Sequence, residues 1–156
     1  MSASDDLHPR PAAGPKLPPY GPSITLAQAR RVADAALSLA GANGWTIVIA
    51  IVDPGGHLVY LAKMDETQVG SVAIAETKAR SAALFKRPTK VFQDRLARGG
   101  DGLLVLRLQG AMPVEGGLPI LLDGKVIGAL GVSGGSSEED EVCAQAGVVA
   151  LERQAS

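Results

Sequence analysis

Apolar positions along this chain switch between two periods, and the switches mark its elements. Thr25 is followed three residues later by Gln28, the spacing of a capping box. Leu26, Ala29, Ala33, Ala36, Leu37 and Ala40 then recur at the interval of one helical face, and Gly41 or Gly44 closes the run. Thr46 to Asp53 reads TIVIAIVD, β-branched and nearly unbroken in apolar character, as in a strand covered on both faces. PGG makes a turn, and HLVYLAKM returns as the partner strand. From Ser71 to Phe85 the period becomes helical again, with Val72, Ala75, Ala79 and Ala82 on one face and Pro88 limiting any continuation. The many alanines of this helix let its backbone come close to a neighbouring sheet or subunit.

Thr89 to Arg98 reads as a short helix, RGGDG as a loop, and LLVLRLQ (Leu103 to Gln109) as a third strand with Arg107 near its end. GAMPVEGG is loop. Ile120 to Gly135 then carries two apolar runs that meet at Asp123-Gly124, a pair favouring the type I′ turn of a two-residue hairpin. A glycine- and serine-rich corner follows, and SSEEDE opens a last helix over about Glu138 to Arg153, with Ser136 or Ser137 as N-cap and acids in its first turn. Five strands and about four helices without strict β-α-β alternation give an α+β fold, an antiparallel five-stranded sheet flanked by helices.

Length and charge narrow the function. The chain has 156 residues, enough for one domain with a real core, with 15 Lys and Arg against 16 Asp and Glu spread along it. No basic stripe is present to follow a phosphate backbone, which argues against nucleic acid. The single cysteine, Cys143, forms no internal disulfide and points to a reducing, cytoplasmic setting. No apolar run approaches a membrane span, and no basic-then-apolar leader is legible at the N-terminus. Six of the ten prolines fall within residues 1–22, which read as a flexible, polyproline-leaning arm that could lie across a neighbouring subunit; residues 23–156 form the domain.

Gly131-Val132-Ser133-Gly134-Gly135 matches G-x-S-x-G between a strand and a helix. Both histidines, His8 and His57, precede it, and the strand belongs to a hairpin, so the motif reads as turn and cap rather than as a nucleophile elbow. His57, just after the DPGG turn, has the chemistry of an acid, base or ligand, although a lone histidine at a strand start is more often a surface residue. Asp53 before Pro54 is first a turn former. Glu115 beside Gly116 and Gly117 can be presented to a cavity that bare backbone approaches closely. Arg107 is a candidate anchor for a carboxylate, and Lys78 or Arg80 lies on the alanine-rich helix. There is no metal constellation, no C-x-x-C-H, no H-E-x-x-H, no P-loop and no G-x-G-x-x-G. The junction of strand and last helix, rich in backbone N–H groups, is a candidate seat for an anion or polar ligand.

The stretches IVDPGGHLVYLAKMD, AETKARSAALFKRPT and EGGLPILLDGKVIGALGVSGGSSEEDEVCAQAG, in this order, resemble the GlcG/HbpS family, which includes the C-terminal domain of PduO-type corrinoid adenosyltransferases. The resemblance covers about residues 24–152. It implies a layered α/β/α domain around an antiparallel five-stranded sheet, assembly as homo-oligomers from tetramer to octamer, and a small-ligand site near the GGLPI loop. Some members bind haem non-covalently, others are linked to iron or corrinoid handling, and many accompany catabolic gene clusters. The matching positions are Gly116, Gly117, Pro119, Gly131, Ser133 and Gly134, with Asp53 and His57 in the first hairpin. Haem-binding members take ligands from the loop before the glycine pair or from the N-terminal region; here that loop reads AMPVE, and Met112 is its one conventional axial ligand. Two functions follow. One is a ligand-binding protein for haem or another tetrapyrrole. The other is a cofactor-independent enzyme on a small acidic catabolite, with Glu115 as general acid or base, His57 as its partner and Arg107 or Lys78 holding substrate charge.

Overall fold

The computed structural model describes residues 13–153. The first part of the proline-rich arm, residues 1–12, lies outside the described residues. In chain order the elements are α1 (Leu26–Ala42), β1 (Val48–Val52), β2 (Leu58–Lys63), α2 (Ser71–Phe85), α3 (Lys90–Ala97), a 3-10 helix (Gly100–Arg107), β3 (Gly117–Leu122), β4 (Lys125–Ser133) and α4 (Ser137–Glu152). The four strands form one antiparallel sheet in the order β2-β1-β4-β3.

The sheet is built from two hairpins joined edge to edge. At the β3–β4 turn both Asp123 and Gly124 have positive φ, 51° and 72°, as a type I′ turn requires. In β1 the side chains alternate between two cores. Ile49 and Ile51 face α1 and α4, packing with Val32, Ala33, Ala36, Leu130, Cys143 and Ala144. Val48, Ala50 and Val52 face α2, against Ala75, Ala79, Ala82 and Ala83. All five residues of β1 are buried, which is why the strand reads as an unbroken apolar run.

Small residues set how closely α2 lies on the sheet. A methyl group at Gly131 of β4 would run into the carbonyl oxygen of Ala75 and the amide nitrogen of Ala79. Helix and strand backbones touch here, with the alanines of α2 completing the contact.

The segment expected as a fifth strand is helical. Over Leu103 to Gln109 the chain forms most of a 3-10 helix, in which Gly102 and Val105, three residues apart, are buried while Leu103, Leu104 and Leu106 are exposed. Gly102 lies so near α3 that a β-carbon there would collide with the Arg95 carbonyl oxygen. An inward face of two residues suffices for one turn after another of a tight helix, and offers nothing to a sheet. Among the described residues the sheet therefore has four strands.

The end of the arm is not free. Beyond Val52 the flank of β4 is vacated by β1, and residues 19–24 take its place: Val126 N–H donates to the Pro19 carbonyl, Gly21 N–H to the Val126 carbonyl, and Ile24 N–H to the Ile127 carbonyl. The Tyr20 hydroxyl donates to the Ala83 carbonyl at 2.9 Å, and Lys86 Nζ lies 4.2 Å over its ring. From Pro19 onward the segment expected to be flexible is strapped to both sheet and α2.

Candidate functional site

The junction of β4 and α4 is built largely as expected, but its N–H groups are already engaged. Ser136 caps α4 in a capping box with Glu139. Asp140 Oδ1 accepts from Gly135 N–H at 3.0 Å, Glu141 Oε2 accepts from Gly116 N–H at 2.8 Å, and Thr89 Oγ1 accepts from Gly117 N–H at 3.0 Å. The chain's own carboxylates and hydroxyl occupy the positions an incoming anion would take. Gly116 and Gly117, read as an opening for a ligand, are both buried, and a β-carbon on Gly117 would lie 2.6 Å from the Lys78 carbonyl oxygen. Pro119 is a buried residue of the edge strand β3, where a missing N–H is tolerated. Ser133 ends β4, 5% exposed, and Gly134 packs against Thr46 and Ile47. These positions are packing positions.

Lys78 is the second departure. It is 1% exposed, and its Nζ donates to Asp140 Oδ2 at 2.9 Å and to the Val132 carbonyl at 2.8 Å. Burial pushes the Asp140 carboxyl up, against the hydrogen bond and charge of Lys78 and the Gly135 N–H. A lysine so enclosed joins α2, β4 and α4, and has no face left for substrate.

Glu115 lies in the same region, 5% exposed. Its backbone N–H donates to Gln93 Oε1, and its carboxylate sits 3.4 Å from Lys90 Nζ. Hydrogen bonds from Lys90 to Asp94 and then to Glu115 hold that ammonium above the usual lysine range.

His57 is elsewhere. Strand register pairs Val48 with Ser133 and Val52 with Ala129, and Val132 N–H donates to the Gly116 carbonyl. Glu115 thus lies at the Val48 end of β1, and His57, just past Val52, at the other. Four residues of strand, roughly 13 Å at about 3.3 Å each, separate the two ends. Glu115 and His57 cannot share a proton. Arg107 is exposed at the end of the 3-10 helix, tied among the described residues to neither of them. The acid/base pair expected from the sequence is not assembled.

What the first hairpin does assemble is a clamped imidazole. Asp53 Oδ1 accepts from the backbone N–H of Gly55 and of His57, each at 2.9 Å, and both carboxylate oxygens lie 3.1 Å from His57 Nδ1. Burial raises the Asp53 pKa, but the bonds and charge from His57 and the Gly55 N–H outweigh it and hold the carboxyl below the usual aspartate value. An ionised carboxylate only accepts, so the Nδ1 facing it carries the proton and Nε2 is the free nitrogen. The ring is 79% exposed. Beside it opens a hollow of about 270 Å³ lined by Val52, Gly56, His57, Leu58, Glu76 and Arg80. Met112, the other candidate ligand, is half-buried in its loop, its N–H donating to Ser81 Oγ of α2.

The fold and this turn define a three-layer α/β/α domain with a self-satisfied glycine corner at one end of its sheet and an open histidine turn at the other. Residues 24–149 match the family model described as haem degrading protein HbpS-like, and the chain belongs to that family. It is 40% identical over 91 residues to protein GlcG of Escherichia coli, an alignment covering 58% of this chain and 66% of that protein. Among solved structures, Klebsiella pneumoniae protein ORFY superposes with a TM-score of 0.77 at 34% identity, over 85% of this chain and 92% of that one. PduOC in a haem complex superposes with a TM-score of 0.74 at 28% identity, over 82% and 94%.

Proposed function

We propose that this protein binds haem, or a tetrapyrrole of similar size and charge, non-covalently and as a homo-oligomer. One observation carries the reading: the likeness, along most of both chains, to a protein crystallised as its haem complex. The description of the family model, haem degrading protein HbpS-like, supports it. Ligand pockets span roughly 300–1,000 Å³; a hollow of about 270 Å³ on one protomer covers part of a macrocycle, and a second protomer would supply the rest of the enclosure. The buried, unpaired thiol of Cys143 suits a reducing, cytoplasmic setting.

Titration of haemin into the purified protein tests this directly. A Soret band that shifts from that of free haemin and saturates at a fixed ratio to protomer is expected, with the oligomer size of the same samples measured by light scattering. Absorbance equal to the sum of the separate components at every ratio overturns the reading. The enzymatic alternative has no comparable support, because the groups it needs stand at opposite ends of the sheet.

A further inference from the structure

Resting on the haem reading above, we infer that the iron is ligated at the β1–β2 turn, by His57 Nε2, with Asp53 as the positioning residue behind it and Arg80 as the partner of a propionate. Three features of the turn converge on this ligand class.

The imidazole is preset. A histidine that ligates a metal almost always donates its other nitrogen to a carboxylate or carbonyl, which fixes the ring and makes the ligating nitrogen more basic. Asp53 does this for His57 at 3.1 Å, and is itself held by two backbone N–H groups at 2.9 Å. The result is a rigid donor on an exposed turn.

The donor set fits a macrocycle and not a bare ion. Structural and catalytic zinc sites take three or four protein ligands, and among the described residues no group of three His, Cys, Asp or Glu is placed to hold a metal. Haem iron brings four ring nitrogens of its own and asks the protein for an axial ligand. One oriented histidine is enough.

The surroundings match the rest of the molecule. Val52 and Leu58 line the hollow with His57, and a β-carbon on Gly56 would lie 3.7 Å from Leu84, so apolar side chains lie about the turn. Leu58 and Leu84 are 52% and 44% exposed, apolar surface that a flat porphyrin face would cover. Arg80 offers a planar guanidinium suited to a carboxylate. Glu76, one turn earlier on α2, turns a propionate away and so sets the direction of the bound edge.

The experiment compares haemin titrations of the wild-type protein, His57→Ala, Asp53→Asn, Arg80→Gln and Met112→Ala. His57→Ala is expected to move the Soret and visible bands and weaken binding at least tenfold, with added imidazole restoring the wild-type spectrum. Asp53→Asn keeps a histidine-type spectrum with affinity lowered about 10- to 100-fold, as outer partners of metal-bound histidines do. Arg80→Gln keeps the spectrum and weakens binding. Far-UV circular dichroism of each variant confirms folding, expected to be intact because the His57 ring is mostly in solvent. Saturable binding by the wild-type protein with an unchanged spectrum in His57→Ala, or a spectrum altered only by Met112→Ala, overturns this site and leaves the haem reading standing. Absence of saturable binding in the wild-type protein sinks both.

Discussion

Lys78 and Asp140 form an ion pair at 2.9 Å with 1% and 4% of their side chains exposed, tying α2 to the first turn of α4 across the end of β4. Each is the other's compensation for leaving water. Replacing Lys78 by Met strands a buried carboxylate and frees the Val132 carbonyl, a change expected to cost about 3–5 kcal/mol in urea unfolding. The double variant Lys78→Met, Asp140→Leu removes both charges and is expected to recover much of that loss. Additive destabilisation of the two single variants would show the pair to be uncoupled.

Asp53 gives the protein an acid-side dependence of predictable sign. Its native pKa is depressed, so its contribution is complete above the unfolded value near 3.9 and disappears as pH falls through the lower native value. The stability gap between wild type and Asp53→Asn is expected to narrow as pH falls below about 4. Thermal melts across that range check it; a gap that widens toward low pH contradicts the assignment.

Gly131→Ala drives a methyl into the backbone of α2, where neither the Ala75 carbonyl nor the Ala79 amide can swing aside. Overpacking of this kind costs about 1–3 kcal/mol or more. Gly41→Ala on α1, where a β-carbon meets nothing, is expected to have the opposite sign and to stabilise by up to about 1 kcal/mol. Denaturant midpoints of the two variants should fall on either side of the wild type.

Burial pushes the Cys143 thiol up to about 11, with the charges of Asp140 and Glu139 adding to it. At pH 8 almost no thiolate is present, and the thiolate is the nucleophile. Reaction with an aromatic disulfide reagent is expected to be slow in the native protein and to become complete in denaturant. Rapid stoichiometric labelling under native conditions would contradict that packing.

Much of the architecture was written in local patterns. Thr25 with Gln28 marked the start of α1, Asp123-Gly124 the tight hairpin, and the alanine face with Pro88 the extent of α2. Local pattern failed where partners are distant. LLVLRLQ carries one β-branched residue and follows a glycine cluster, and its apolar run alone did not separate a strand from a 3-10 helix seated on α3. Lys78 read as a group holding substrate charge, yet it stands between Ala75 and Ala82 on the buried face, a conflict that signals a buried partner. Which carboxylate that partner is, no spacing discloses. The glycine corner misled in the opposite sense: its amides were correctly placed and already satisfied from α4 and Thr89.

The strap at residues 19–24 bears on the order in which the molecule is made. Tyr20 pairs with Val126 and the carbonyl of Ala83, groups far along the chain, and its slot exists only once β4 has added to β1 and α2 has settled. Contacts so remote in sequence form late, after shorter loops have closed. In synthesis on the ribosome, these early residues must therefore wait for nearly the whole domain to emerge before they find their seat.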